Sequence, residues 1–118
     1  MNTLALFRNE ADTRPAKAGE TIFVEGDEGR MMFVVLEGQV RLSVTGRTVE
    51  KVVKGGVFGE MALIDDSPRS ATATAVTDCT LVPVTAPRFR ALVKESPDFA
   101  LEIMGLMAAR LRSMDKRL

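Results

Sequence analysis

Between residues 20 and 56 the chain is cut by glycine into short apolar runs: ETIFVEGDEG, RMMFVVLEG, QVRLSVTG and RTVEKVVKGG. No run is long enough for a helix, and each ends on a residue that reverses the backbone without steric cost. Strands are therefore predicted near 21–25, 31–37, 39–45 and 47–53, with Gly26, Gly29, Gly38, Gly46, Gly55 and Gly56 at the turns. Gly38 and Gly46 stand where a tight hairpin needs a positive φ. Strand character returns at SATATAV (70–76) and TLVPVT (80–85), after an interruption at FGEMALIDDSP. Seven or eight short strands in so few residues predict a small antiparallel sandwich or barrel, and the interruption is its one irregular excursion.

From Ala86 the apolar period lengthens to that of a helix. Pro87 falls early in a helix over about 86–95, with Phe89, Leu92 and Val93 on one face; Pro97 opens a second over about 97–117. Along the latter, Met104, Met107, Leu111, Met114 and Leu118 form a stripe that Phe99, Leu101, Ile103 and Leu106 widen. That arc exceeds what one groove covers, so one side is expected to dock on the strands and the other on a partner, the plainer alternative being a helix wholly buried in its own fold. A single domain over 1–118 is expected, with a β region at about 12–85 and the two helices behind it.

Composition removes several kinds of chemistry. The chain has no histidine, which excludes imidazole metal sites, His-based acid–base work and the usual serine or cysteine triads. The single Cys79 forms no internal disulfide and suits a reducing, cytoplasmic compartment. Asp65 and Asp66 lack the oxygen-ligand spacing of a calcium loop, so no metal is expected. Sixteen basic residues balance sixteen acidic ones, which gives no field toward nucleic acid or an anionic membrane. No apolar stretch reaches the ~18 residues of a membrane span.

The excursion FGEMALIDDSPRSATATA, residues 58–75, carries the chemistry that remains. Gly59 admits a close backbone approach, and one helical turn at EMALI would point free N–H groups at an anionic oxygen. Arg69 offers a permanently charged fork that donates two bonds to a phosphate, Ser70 adds a hydroxyl, and Ala71 and Ala73 leave space for a ring. Glu60 cannot bind phosphate and needs a hydroxyl or an amine. A cyclic nucleotide offers both, a ring phosphate for Arg69 and a ribose 2′-hydroxyl for Glu60. The plainer reading is a surface ion pair between Glu60 and Arg69, which contributes only ~0–1 kcal/mol.

The same string resembles the phosphate-binding cassette of the cyclic nucleotide-binding domain family. The resemblance extends from about residue 14 to 115, through GDEGRMMFVVLEGQVRL and the two closing helices. It implies a mainly β fold with helices: an eight-stranded, jelly-roll-like β-roll (a double-stranded β-helix) with a short cassette helix and two C-terminal helices. It also implies a regulatory domain and not an enzyme. Gly59 and Glu60 would meet the ribose; the amides of Met61 and Ala62 and the side chains of Arg69 and Ser70 would hold the cyclic phosphate, with Ala71 beside them. In some members an aromatic residue caps the base. With no Trp or Tyr here, the lid would come from Met107, Arg110, Leu111 and Met114. Transcription factors of the family carry a helix-turn-helix after the long helix; the chain stops before one, so nucleic-acid binding is not expected. The implied function is a stand-alone cytoplasmic sensor of cAMP or cGMP, with cAMP preferred. Its last helix would signal to an effector protein or a second copy as a homodimer. The alternative is a ligand-independent oligomerisation or scaffold module of the same fold.

Overall fold

A computed structural model describes residues 3–115, with side chains over 5–113. The chain runs α1 (Thr3–Phe7), β1 (Arg14–Ala16), β2 (Thr21–Phe23), β3 (Met31–Glu37), β4 (Val40–Val44), β5 (Arg47–Val52) and β6 (Val57–Phe58). It continues through α2 (Met61–Ile64), β7 (Thr72–Ala75), β8 (Cys79–Thr85), α3 (Ala86–Glu95) and α4 (Pro97–Asp115). The eight strands form two antiparallel four-stranded sheets, ordered β1-β8-β3-β6 and β2-β7-β4-β5. This is the β-roll with a cassette helix and two closing helices that the resemblance implies.

The unbroken apolar run MMFVV in β3 has a physical reason. Side chains alternate across a strand, and here both faces of β3 are covered. Phe33 and Val35 point into the space between the sheets, with Val40, Leu42, Val52, Phe58, Ala73, Ala75 and Leu81. Met32 and Val34, paired in register with Val84 and Val82, point the other way. There they join Phe7, Val57, Phe99 and Ile103 in a second core under the helices. Sheet β1-β8-β3-β6 is thus the middle of three layers, and this is what brings α4 close to the cassette. Phe99 anchors the helical layer, meeting Phe7 and Phe89 edge-to-face at centroid distances of 6.4 and 5.8 Å.

Helix α3 begins where Thr85 accepts a hydrogen bond from the Arg88 amide, with Pro87 in the first turn. Gly38 and Gly46 take the expected left-handed conformations, at φ +95° and +81°. A Cβ on Gly38 would also fall 2.7 Å from the Cys79 sulfur. Gly29, expected at a turn, lies outside that region of φ and has another role, described below. Strands β1 and β6, of three and two residues, are shorter than any periodic signal. The segment that follows α1 is linked to α3 by an ion pair between Glu10 and Arg88, whose guanidinium also lies 5.1 Å from the centre of the Phe7 ring.

Candidate functional site

The cassette joins β6 to β7. Gly59, at φ +82°, turns the chain out of β6, and Glu60 enters the helical region without capping α2 through its side chain. Its carboxylate is therefore available for other partners. The helix ends at Asp65, whose carboxylate accepts a bond from the Ser67 amide at 3.0 Å beside a left-handed Asp66. Asp65 and Asp66 are exposed, and no cluster of three or more metal-ligating side chains occurs among the described residues. The chain then returns through Pro68 to Arg69, whose N–H donates to Asp27 O at 2.7 Å and whose C=O accepts from Gly26 N at 2.8 Å.

Glu60 and Arg69 are buried, at 2% and 7% exposure. They do not pair. The Arg69 guanidinium donates from Nη1 to Gly59 O at 3.0 Å and from Nη2 to Met31 O at 2.7 Å, and lies 4.0 Å over the Phe23 ring. Burial lowers its pKa, against the charges of Asp27 and Glu60 that raise it. Glu60 instead takes an ion pair from Arg110 on α4. Arg110 also forms a forked pair with Glu50, Nε to Oε1 at 2.7 Å and Nη2 to Oε2 at 3.0 Å, and donates to Val57 O at 2.8 Å. Burial works to lower the Arg110 pKa, but the Glu50 hydrogen bond and the two carboxylate charges outweigh it and raise it. The surface clamp between Glu60 and Arg69 weighed from the sequence is thus replaced by two separate devices. One is a cation held by carbonyls; the other is an anion tied to the last helix.

Both devices border one cavity of about 600 Å³, within the range of small-ligand sites. Its wall brings together Gly59, Glu60, Met61, Ala62, Arg69, Ser70 and Ala71, all seven of the ligand-contacting residues expected from the sequence. Ala73, expected to leave room there, is wholly buried between the sheets. Of the expected lid, Arg110 lines the cavity, while Met107 packs on the helical core and Leu111 is 60% exposed on the far side. The side chain of Met114 lies outside the described residues. Leu106, Ala109 and Ser113 take those places on α4, and Leu42, Val44, Val49 and Glu50 supply the opposite wall. Neither Glu50 nor Ser113 carried a sequence signal, since each is placed at the cavity by packing between segments far apart in the chain.

A family model described as the cyclic nucleotide-binding domain matches residues 13–96. The chain belongs to the cyclic nucleotide-binding domain family. It is a regulatory ligand-binding domain by that membership. It is 38% identical over 105 residues to the cyclic AMP receptor protein of Thermus thermophilus, covering 85% of this chain and 49% of that protein. The crystal structure of the Thermus thermophilus catabolite activator protein superposes with a TM-score of 0.81 at 34% identity, over 95% of this chain and 60% of that one. A structure from a cyclic-GMP-dependent signalling pathway of bacterial phytopathogenesis gives 0.77 at 30% identity, over 92% and 89%. The domain spans about half the length of the curated relative. Among the described residues no helix is long and apolar enough to cross a membrane.

Proposed function

We propose that the domain is a cyclic nucleotide sensor that takes cAMP in preference to cGMP and signals through α4. The observation that carries the reading is that Glu60 and Arg69, opposite in charge and both buried, face one cavity without neutralising each other. The cyclic phosphate would accept from the Arg69 donors not used by Met31 and Gly59, from Ser70 and from the amides of Met61 and Ala62. The ribose 2′-hydroxyl would donate to Glu60. Gly59 and Ala71 keep the approach open. The base would lie between Leu42, Val44 and Val49 and the α4 side chains Leu106, Ala109, Arg110 and Ser113. The preference for cAMP rests on the likeness to a cyclic AMP receptor protein; Ser70 suits either base.

Signalling would run through Arg110. A ribose hydroxyl that donates to Glu60 competes with or reshapes the Glu60–Arg110 pair, and α4 is attached to that pair. The ligand shifts α4 only by its difference in affinity for the two helix positions. The outer side of α4 carries Leu101, Met104, Ala108 and Leu111, at the alternating spacings of three and four that seat one helix against another. Leu101, Met104 and Leu111 are 60–64% exposed, which supports a second copy of the chain as the receiver of the signal.

The test is calorimetric titration with cAMP and cGMP. The Arg69→Ala variant should lose about 1.5–3 kcal/mol of binding, the range for hydrogen bonds to charged groups. Unchanged affinity would remove Arg69 from the site. A ligand-independent oligomerisation module is the second reading, favoured by that same exposed face of α4. Association through α4 with no thermal shift at millimolar cAMP or cGMP would select it.

A further inference from the structure

We propose that Phe23 and Gly29 are positioning residues that fix the Arg69 guanidinium in the orientation that receives the cyclic phosphate. The inference rests on the ligand reading above and adds to it the origin of the guanidinium's aim. Arg69 is buried, so its orientation must be set by neighbours and not by solvent. Two carbonyls, from Gly59 and Met31, hold Nη1 and Nη2 in the guanidinium plane. They leave rotation about the line between them, and the approach along the normal, to be fixed by something else.

Phe23 supplies one face. Its ring centre is 4.0 Å from Cζ, at the range where a cation is attracted to the ring quadrupole. The ring is itself immobilised against Phe33 and Phe58, at centroid distances of 6.2 and 5.8 Å. Gly29 supplies the room. A Cβ on it would fall inside contact distance of Arg69 Nε and Cζ, and 2.8 Å from Cδ. Its backbone does not lie in the left-handed region, so a turn does not require glycine here. The requirement is steric, and it comes from Arg69. Nε, turned toward this glycine, has no hydrogen-bond acceptor among the described residues. The β2–β3 segment also bonds the Arg69 backbone on both sides, through Asp27 O and Gly26 N. One stretch, residues 23–31, therefore holds both the main chain and the guanidinium. Orientation set before the ligand arrives lowers the ordering cost of binding.

The experiment uses the whole chain with Gly29→Ala and Phe23→Leu, each titrated with cAMP and with the two phosphorothioate diastereomers in which sulfur replaces one or other exocyclic oxygen. A guanidinium fixed in aim distinguishes the two oxygens. Each variant should bind cAMP about 3- to 30-fold more weakly, and the ratio between the diastereomers should fall toward one. Phe23→Leu should cost nothing further in an Arg69→Lys background. Variants that bind all three nucleotides as the parent does, or lose all three in the same proportion, would overturn the proposal. The second outcome is what a merely structural role gives. If Gly29→Ala does not fold, Phe23→Leu decides. Failure of the parent to bind any of the three would refute the ligand reading alone. The Arg69 Nε–H resonance of the free protein then decides the clamp: it should lie upfield under the Phe23 ring and move downfield in Phe23→Leu, and an unchanged resonance would refute it.

Discussion

Replacing Arg110 with methionine removes the cation that ties α4 to the cavity while keeping a side chain of similar length and apolar stem. The consequence falls mainly on Glu60. Its side chain is only 3% exposed, whereas Glu50 at 32% can turn toward water. Removing one partner of a buried ion pair costs about 3–5 kcal/mol because the other charge is left desolvated. With Arg110 itself 20% exposed, the lower end of that range applies, near 3 kcal/mol. The Val57 carbonyl, which also accepts from Arg110, is left unpaired on a residue only 3% exposed, and this keeps the figure from falling further. At about 2.1 cal/mol/K per residue, a chain of 118 residues unfolds with an entropy of about 0.25 kcal/mol/K, so the melting temperature should fall by about 12 °C. Glu60→Gln alone leaves the forked Glu50–Arg110 pair standing and should cost only about 1–2 kcal/mol. The double variant buries no unpaired charge at position 60, so it should be more stable than the sum of the single changes by about 2 kcal/mol. Reversible thermal unfolding of the four ligand-free proteins, followed by circular dichroism, measures the cycle. An Arg110→Met variant that melts within ~2 °C of the parent, against the drop expected for a buried pair, would refute the reasoning. So would strict additivity.

Gly38→Ala should lower stability by at least about 1–3 kcal/mol in urea unfolding, since it combines a left-handed φ with a side chain driven onto Cys79. The Glu10–Arg88 bond, from the segment after α1 to α3, predicts a pH dependence. The hydrogen bond from Arg88, opposed by burial, holds the Glu10 carboxyl below its usual range. A lowered folded pKa contributes stability that is present above the unfolded value, near 4.3, and is lost as pH falls through the folded one. Glu10→Gln should therefore cost up to about 1 kcal/mol at neutral pH, and the gap to the parent should close on acidification below about pH 4. Leu101→Glu with Leu111→Glu, both on the exposed side of α4, should abolish any self-association seen by sedimentation while leaving the melting temperature of the monomer within about 2 °C, as expected of surface changes.

What the sequence made legible is what local rules govern. A left-handed glycine states its conformation in its own identity, so the hairpins at Gly38 and Gly46 follow from the sequence alone. The cassette was legible because its residues are contiguous and their chemistry points at one another: a carboxylate, a guanidinium and a hydroxyl within eleven positions. Gly29 was misread for the opposite reason. Its only constraint is the side chain of Arg69, forty positions away in sequence, and a steric requirement of that kind is silent in the local pattern. The lid shows the same limit in a helix. The apolar arc of α4 was visibly too wide for one groove, and the structure buries part of it and leaves the rest exposed. Phe99, Ile103 and Met107 lie inward; Leu101, Met104 and Leu111 lie outward. Which residue then faces the cavity depends on the rotation of the helix about its axis, where one position is about 100°. Met107 and Leu111, four apart, straddle the boundary between the two sides, and Arg110, one step back from Leu111, is the residue that swings over Glu60. A search by hydrophobic period favours methionine for a lid. Of the four residues expected there, the one that lines the cavity among the described residues is the cation Arg110, and the carboxylates of Glu50 and Glu60 that it pairs with would be left unpaired by an apolar side chain.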